Sequence, residues 1–416
     1  MYTFFTIDNG LRVVLENIDH VSSVSVGLWV ENGSRNETAE SNGISHFIEH
    51  MLFKGTYNRN AKEIVEAIED YGGQINAFTG KEATCYYTKT LDSHMERSFG
   101  VLSDMIFNSK FDPVDIEREK KVVIEEINMS EDSPEDVLSD LHSIAIWGDD
   151  PIALPILGTE ETVKSFTREQ LLEYIECRYI PENCVLSICG NIDFDVTTKL
   201  VNKYFGSWSS KNKKVTKHST PIFQNKFLVK QKPIEQVHLS LGIKGIETGN
   251  RDNYPLHVIN NVFGGTASSI LFQKLREERG MCYSIYSYNS PYMNTGIMNV
   301  YAGLNPKDTK EAIIQIKNEL SILVEKGISK ETLNKTKEQL KGNYMLGLES
   351  TSNKMFANGK NALFLNRINT PKDIMKKIND ITLEDINRVM KNTFGEGIIN
   401  GALVGDNIDD DILKIF

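Results

Sequence analysis

Hydrophobic and polar residues alternate along two stretches of the first half of the chain in the way that strands require. The opening segment, MYTFFTIDNGLRVVLE, has apolar runs on both sides of Asn9-Gly10, a dipeptide that favours a tight turn. A second segment, GGQINAFTGKEATCYYTKTL, has the same form around Gly80 and Lys81. We therefore predict two strand-turn-strand units in these segments.

Two other stretches carry the signals that begin and end helices. The residues from Asn60 to Tyr71 are predicted to form a helix that ends at Gly72, because glycine readily adopts the left-handed conformation that closes a helix. Farther along, Asp112 is a good N-cap and Pro113 is a good first helical residue. They predict a long helix through VDIEREKKVVIEEINM.

A third predicted helix lies in GISHFIEHMLFKGT, and its polar residues are unusual. At about 100° per residue, His46, Glu49, His50 and Phe53 fall on one side of the helix. The opposite side is apolar and consists of Ile44, Phe47, Ile48, Met51 and Leu52. The chain has 8 histidines and 57 acidic residues, from which only about 0.02 chance occurrences of His-x-x-acid-His are expected. The pattern therefore indicates a function.

Two imidazoles one helical turn apart can bind one metal ion, and a carboxylate on the same face can act on a bound water molecule. The alternative interpretation is a solvated polar helix face. A zinc site would need a third ligand, which has to come from farther along the chain. Glu119 and Glu126 lie seven residues apart on one face of the long helix, although an ordinary amphipathic helix would explain most of that segment. The packing residues of that helix are Val122, Val123 and Ile127.

An internal repeat organises the chain. The segment TREQLLEYIECRYIPENCVLSICGNID from Thr167 resembles TLEDINRVMKNTFGEGIINGALVGDNID from Thr382, and both copies read as helix, turn, strand and glycine. Upstream, SVSVGLWV resembles QVHLSLGI, and the long helix resembles GISKETLNKTKEQLKGN. We therefore predict an α+β fold of two homologous α/β-sandwich domains related by internal duplication.

The boundary between the copies is predicted at SWSSKNKKVTKHSTP, because this polar, basic and proline-terminated segment has the composition of a linker. The predicted division is a first domain at residues 1–206, a linker at 207–221 and a second domain at 222–416.

Composition narrows the class of protein. With 416 residues, of which 40% are hydrophobic and 25% charged, the chain can bury a sizeable core. The net charge of −11 argues against a general nucleic-acid binder, and it either aids solubility or favours cationic partners. Neither a membrane-spanning apolar run nor a signal-peptide pattern is present in the sequence, so we expect no membrane association and no export.

Cysteine usage bears on the compartment. The five cysteines are odd in number and lack a Cys-x-x-Cys or disulfide-scaffold pattern, which suits a reducing cytoplasm. We expect all of them to be small buried residues: Cys85, Cys177, Cys184, Cys189 and Cys282.

Taken together, the His-x-x-Glu-His helix and the later glutamates resemble the inverted-motif zinc peptidases of the insulysin and pitrilysin family, most closely the bacterial branch similar to the mitochondrial processing peptidase. The resemblance covers essentially the whole chain. It implies a Zn²⁺ cofactor bound by His46, His50 and Glu126. It also implies that Glu49 is the general base and that Glu119 orients the site.

The neighbouring Glu125 is a competing ligand candidate, and Glu126 is preferred for its spacing from His50 and its two-turn relation to Glu119. Three protein ligands would leave a fourth position for water. Glu49 would take a proton from that water and pass it to the leaving amine. The implied reaction is peptide hydrolysis without an acyl-enzyme.

The second copy lacks the metal-binding pattern. By the repeat offset, Ile259 and Phe263 stand where the first copy has its histidines, and Asn343 stands where it has Glu126. We therefore expect the second copy to hold no zinc.

The second copy instead offers FGGTASSILFQKLREERGMCYSIYSY, which is similar to a loop, helix and strand of the family. In that match, Arg276 and Tyr283 are the pair that reaches substrate and supports the oxyanion. The alternative is a solvated arginine and an ordinary strand tyrosine. The loop Gly264-Gly265-Thr266 departs from the three glycines that relatives often carry, which leaves its part in substrate recognition open.

Substrate binding is expected at the segment GGQINAFT, which resembles the edge strand beside the zinc in this family. Asn76 and Ala77 would pair with an extended peptide by strand addition, and an ordinary hairpin edge is the alternative. Pairing through the main chain would give broad specificity for unfolded peptides.

Three functions follow from these expectations. The first is a zinc metalloendopeptidase that hydrolyses unfolded or short peptides. The others are a noncatalytic core or partner subunit and a zinc-stabilised scaffold that binds peptides without cleaving them. Because family members enclose substrate between two halves of a clamshell, and this chain supplies one half, the resemblance also implies a homodimer.

Overall fold

The computed structural model describes residues 2–209 and 218–415, without the side chain of Asp410. The strands, in chain order, are β1 (Tyr2–Thr6), β2 (Arg12–Asn17), β3 (Ser23–Val30), β4 (Gln74–Thr79), β5 (Thr84–Leu91), β6 (Cys184–Gly190), β7 (Phe227–Gln231), β8 (Val237–Lys244), β9 (Cys282–Tyr292), β10 (Thr295–Leu304) and β11 (Ile398–Gly405).

The α-helices of the same residues are α1 (Ile44–Leu52), α2 (Ala61–Glu69), α3 (Met95–Asn108), α4 (Pro113–Asp132), α5 (Pro134–Trp147), α6 (Glu160–Ser165), α7 (Arg168–Arg178), α8 (Phe194–Phe205), α9 (Asn253–Phe263), α10 (Thr309–Lys326), α11 (Lys330–Gly347), α12 (Thr351–Leu365), α13 (Pro371–Asn379) and α14 (Leu383–Thr393). Residues Phe272–Glu277 form a π-helical segment before β9.

The strands form two sheets with corresponding orders. The first sheet has the order β1-β2-β6-β3-β5-β4, and the second has the order β7-β11-β8-β10-β9. In each sheet, one parallel pair, β2 with β6 or β7 with β11, is followed by antiparallel neighbours. If β7 is matched to β2, the remaining strands match in order and only β1 is additional. This correspondence confirms the predicted duplication of an α/β domain.

The predicted local signals are present at the expected places. Gly10 has φ +93° in the turn between β1 and β2, and Gly72 has φ +71° after α2. The repeated helix-strand unit begins with the same capping device in both copies. Thr167 caps α7, and Thr382 caps α14, each through a box with the residue three positions on.

The chain divides into two compact units that do not follow the linear division. The first unit comprises residues 1–128, 154–217 and 346–369, and the second comprises 129–153, 218–345 and 370–416. Each unit thus contains one helix from the other half of the sequence, α12 in the first and α5 in the second. The predicted boundary at residues 207–221 remains a prediction, and residues 210–217 of it lie outside the described part of the chain.

Polar contacts explain why α12 belongs to the first unit, where it packs on β3 and β6. The guanidinium of Arg12 donates to the carbonyls of Ala362 and Leu363, both at 3.0 Å. Both carbonyls lie in the last turn of α12, and that of Ala362 also accepts from the backbone nitrogen of Asn366 at 3.2 Å. The buried carboxylate of Glu16 also accepts from Lys354, at 2.9 Å. The periodicity of α12 alone carries no sign of these partners.

Each unit has its own apolar core. The core of the first unit includes Phe47, Phe99 and Phe205, and that of the second includes Phe263 and Phe394. All five cysteines are free thiols, and four of them are buried as expected. The expectation is wrong for Cys177, which is half-buried on α7. Among the described helices, none combines the length and the apolar composition needed to cross a bilayer.

Candidate metal centre

Helix α1 buries its apolar side and presents His46, Glu49 and His50 on the other. Phe47 and Ile48 are fully buried in the core of the first unit. His46 is also buried, at 7% exposure, although it lies on the polar side of the helix. Glu126 of α4 lies at this side, with Oε2 3.7 Å from Nε2 of His46.

Helix α4 places two glutamates beside the histidines. It begins at Pro113, as predicted, and the carboxylate of Asp112 accepts from the backbone nitrogen of Val114 at 2.8 Å. Glu119 and Glu126 lie on the same face of α4, two turns apart, whereas Glu125 is exposed. The carboxylate that the structure brings to the two histidines is therefore that of Glu126.

The side chains of His46, His50 and Glu126 converge on one point. The Nε2 atoms of His46 and His50 lie 3.7 Å and 3.5 Å from Oε2 of Glu126. One ligand atom from each of the three residues can be chosen so that all lie within 4.8 Å of one another.

These separations fit a zinc ion. Tetrahedral zinc with bonds of about 2.0–2.1 Å places its nitrogen and oxygen ligands about 3.4 Å apart. The observed distances are close to that value and are too long for strong hydrogen bonds. Two imidazoles and one carboxylate are also a ligand set that catalytic zinc uses.

Glu119 orients one of the two imidazoles. Its buried carboxylate lies 2.7 Å from Nδ1 of His50 and 2.7 Å from Nζ of Lys54. With Nδ1 bonded to Glu119, Nε2 of His50 faces Glu126 and is the atom that would bind a metal ion. Burial raises the pKa of Glu119, but the hydrogen bonds from His50 and Lys54 outweigh it and hold the pKa below its usual value.

In the metal-free protein, the pKa values of the two imidazoles are shifted in opposite directions. Burial and the nearby His50 lower the pKa of His46 to about 4. Burial also lowers the pKa of His50, but the hydrogen bond to Glu119 and the nearby carboxylate of Glu126 outweigh it and raise the pKa to about 9. The nearby His50 lowers the pKa of Glu126. The carboxylates of Glu119 and Glu126 thus favour a positive charge on His50.

Glu49 lies next to the histidines without joining the group of three. Its carboxylate accepts a hydrogen bond from the hydroxyl of Thr79, at the end of β4. Burial raises the pKa of Glu49, and the Thr79 hydrogen bond lowers it only in part. A carboxylate with a raised pKa is better matched to proton transfer near neutral pH.

Strand β4 forms the edge of the first sheet, and Thr79 connects it to Glu49. Asn76 is exposed and Ala77 is half-buried on this strand. The backbone nitrogen of Ala77 donates to the side chain of Asn76 at 2.8 Å. A peptide strand that paired here would accept from the Ala77 nitrogen in place of the Asn76 side chain.

Arg276 and Tyr283 lie in the second unit and are neighbours there. The guanidinium carbon of Arg276 is 5.2 Å from the ring centre of Tyr283 and 4.6 Å from that of Phe272. Tyr283 is 75% exposed at the start of β9. The pair therefore presents a hydroxyl and a cation to solvent on its own unit.

One predicted equivalence is wrong. Ile259 and Phe263 are fully buried in the core of the second unit, so they hold core-facing positions and not those of the two histidines. The lengths of the segments between β8 and α9 and between β3 and α1 differ, which shifts the offset along the repeat.

Sequence reasoning missed Lys54 and Thr79, which hold Glu119 and Glu49 in place. Lys54 follows His50 by four residues, and this one-turn spacing is a signal that could have indicated it. Thr79 carries no comparable signal, because its role depends on how β4 packs against α1.

Comparison with known proteins identifies the family of the chain. Residues 12–160 match the model of insulinase, peptidase family M16, and residues 165–340 match the model of the peptidase M16 inactive domain. The chain belongs to the M16 peptidase family. It is 46% identical to the uncharacterized zinc protease YmxG of Bacillus subtilis over 94% of this chain and 95% of that relative. It is 35% identical to an uncharacterized zinc protease of Rickettsia felis over 96% of this chain and 97% of that relative.

Solved structures share the fold. A protease from Helicobacter pylori superposes with a TM-score of 0.91 at 22% identity, over 97% of this chain and 99% of that chain. A peptidase M16 inactive domain from Pseudomonas fluorescens also gives a TM-score of 0.91, at 16% identity and 98% coverage of both chains. The two-sheet architecture is therefore that of M16 peptidases.

Proposed function

We propose that the protein is a zinc metalloendopeptidase that hydrolyses unfolded or short peptides. The observation that carries the proposal is the convergence of His46, His50 and Glu126, with Glu49 beside them and outside the ligand set. A carboxylate that does not bind the metal is needed for proton transfer and not for zinc binding. The names of the relatives support zinc and proteolysis at the level of the family.

Each side chain at the site has its own role in the proposed reaction. A zinc ion held by the three residues would supply a water molecule of lowered pKa and a Lewis acid for the substrate carbonyl. Glu49 accepts the proton of the attacking water and then delivers it to the leaving amine. Glu119 keeps His50 in the tautomer that can bind metal, and Thr79 keeps the Glu49 carboxylate directed at the site.

Peptide substrate is proposed to add as a strand to β4. The edge position of β4 and its contact with Glu49 through Thr79 support this arrangement. Asn76 and Ala77 would supply main-chain groups to an extended peptide. Only an unfolded segment can pair in this way, because a folded protein has already used its main-chain groups.

Two further parts of the proposal rest on the family resemblance. Arg276 and Tyr283 would hold the substrate and stabilise the oxyanion. Two copies of the chain would assemble into a homodimer, since the family encloses substrate between two halves. Light scattering across working concentrations tests the assembly, and an active monomer throughout would contradict it.

The competing functions are a noncatalytic partner subunit and a scaffold that binds peptides. One matched solved structure carries the name of an inactive domain. Neither alternative requires the carboxylate of Glu49, whereas a peptidase uses it as the general base.

The decisive experiment measures cleavage of one unstructured peptide by zinc-loaded and chelated protein, each as wild type and as Glu49→Gln. The proposal expects cleavage by the zinc-loaded wild type alone, with full zinc in the Glu49→Gln protein. Turnover should fall by about 10²- to 10⁴-fold in that variant, the usual contribution of a general base. Equal cleavage by Glu49→Gln, or cleavage that survives chelation, would sink the proposed mechanism.

A further inference from the structure

Glu37 is a buried acid that the proposed chemistry does not use. It lies between β3 and α1 and is 3% exposed. Among the described residues, no lysine, arginine or histidine pairs with it. Because an unpaired buried carboxylate is costly, the hydrogen bonds that compensate for its burial indicate what it does.

Those hydrogen bonds all come from the start of α1. One carboxylate oxygen of Glu37 accepts from the backbone nitrogen of Gly43 at 2.7 Å and from the side-chain nitrogen of Asn42 at 3.0 Å. The other oxygen accepts from the backbone nitrogen of Ser45 at 2.9 Å. Glu37 therefore accepts hydrogen bonds from the N-cap residue Gly43 and from Ser45 in the first turn of α1.

Helix α1 has no other cap at this end. Its N-cap residue is Gly43, with φ +90°, and glycine has no side chain to accept from the first turn. Glu37 performs this task from outside the helix and adds a negative charge at the helix N-terminus, where the helix dipole favours it. The helix that carries both histidines thus depends on a residue six positions before its N-cap.

The residue directly before His46 is held at its side chain as well. The hydroxyl of Ser45 accepts from the amide of Asn32 at 3.0 Å and lies 3.2 Å from the hydroxyl of Tyr174. The Tyr174 hydroxyl in turn donates to Asn32 at 3.0 Å, which closes a ring of three hydrogen bonds. Ser45 is therefore fixed through its backbone by Glu37 and through its side chain by this ring.

His46 needs such support more than His50 does. Glu119 orients His50 by a hydrogen bond to Nδ1. The corresponding Nδ1 atom of His46 is buried and has no hydrogen-bond partner among the described residues. The position of the His46 imidazole must then come from the helix backbone and from packing.

We infer that Glu37 is a positioning residue for the metal centre, which clamps the first turn of α1 so that His46 is held at Glu126. The part of this inference that is tested by zinc affinity rests on the proposed function. Its structural part, the clamping of α1, is independent of zinc.

The test compares Glu37→Gln and Glu37→Asp with Asn60→Ala. Glutamine keeps the size of Glu37 but replaces one acceptor oxygen by a donor, and aspartate is too short to reach both backbone nitrogens. Asn60 is a matched control, because it caps the neighbouring helix α2 through the backbone nitrogen of Glu63 at 3.0 Å and touches no metal ligand. Two quantities are measured for each protein: amide hydrogen exchange of α1 and α2, and zinc affinity by competition with a chromophoric chelator.

Glu37→Gln should accelerate exchange in α1 and leave α2 unchanged, and Asn60→Ala should do the reverse. Zinc affinity should fall about tenfold in Glu37→Gln, as it commonly does when support for a ligand is lost. It should fall less in Glu37→Asp and stay within about twofold in Asn60→Ala. Unchanged α1 exchange in both Glu37 variants, or a wild-type zinc affinity in both, would overturn the inference. If the wild-type protein binds no zinc, the proposed function fails, and hydrogen exchange alone decides whether Glu37 clamps α1.

Discussion

The two units share a strand order but differ in the side chains at matching positions. In the first, the helix after β3 directs Glu49 to the edge strand, where the hydroxyl of Thr79 donates to it. In the second, the helix after β8 directs Asn260 to the edge strand, where the hydroxyl of Ser287 donates to it at 2.8 Å. The same hydrogen bond is kept, but a neutral amide replaces the carboxylate. The fold therefore keeps this hydrogen bond in both units, but only the first unit places an ionisable group there.

The long helices differ in the same way. Glu119 on α4 is buried against His50 and Lys54. By the repeat offset, Thr336 on α11 takes the place of Glu119, and it is also buried, at 3% exposure. A hydroxyl there offers no charge to hold an imidazole or a metal ion. A few side chains thus separate the candidate metal centre of the first unit from the matching positions of the second.

The largest expected effect comes from removing a ligand in the first unit. His46→Ala, His50→Ala or Glu126→Ala should each lose bound zinc and reduce peptide cleavage to background, because two remaining ligands hold zinc poorly. Asn343→Ala, at the matching place on α11, should change neither. Elemental analysis on the same samples used for kinetics checks this, and full zinc in the His46→Ala protein would refute the assignment.

The next effect would show that the second unit contributes to chemistry. Tyr283→Phe should lower turnover by about 10²- to 10³-fold with zinc content unchanged, the usual cost of losing one oxyanion donor. Arg276→Ala should weaken both substrate binding and turnover, since a rigid guanidinium is lost.

Tyr286→Phe is the matched control on the same strand, because Tyr286 is also exposed, at 43%. It should cleave the peptide at the wild-type rate. Near wild-type turnover in both Tyr283→Phe and Arg276→Ala would mean that the second unit takes no part in the chemistry.

A smaller effect is expected from the residue that orients His50. Glu119→Gln should weaken zinc affinity by about 10- to 100-fold, because the imidazole loses its charged hydrogen-bond partner. Thr336→Val in the second unit should leave zinc affinity unchanged. Competition with a chelator measures both variants, and equal affinities would show that Glu119 serves only to fold the first unit.

The last effect concerns stability and contrasts a histidine of the second unit with those of the first. His142 on α5 is a buried bridge in the second unit, 2.7 Å from the hydroxyl of Ser240 and 3.1 Å from the side-chain oxygen of Asn400. Burial lowers the pKa of His142 to about 4. The unfolded chain therefore takes up this proton first as pH falls.

The titration of His142 should therefore give stability no pH dependence above about pH 6.5. Between that pH and about 4 it should lower stability by up to about 1.4 kcal/mol per pH unit. Urea unfolding of wild type and His142→Gln at several pH values checks this. The variant should be less stable at neutral pH but should lose less stability on acidification. Parallel pH dependences would show that His142 does not cause the loss.

Much of the fold and the candidate site followed from short-range patterns. The one-turn spacing of His46 and His50, the two-turn spacing of Glu119 and Glu126 and the repeated capping threonines are each contained within a single element. Helical periodicity converts such spacings directly into shared faces. The duplication was visible for the same reason, since both copies preserve the order of their elements.

The tertiary structure alone decided which elements meet. The assignment of α12 to the first unit and of α5 to the second depends on contacts such as Arg12 with the end of α12. The offset error at Ile259 arose because segment lengths change between the copies, which periodicity does not register. Glu37 lies outside the helix that it caps, and Thr79 is set by the packing of a strand against α1. Sequence determined the faces of the individual elements, whereas contacts between residues distant in sequence, made only when those faces pack, determined the rest.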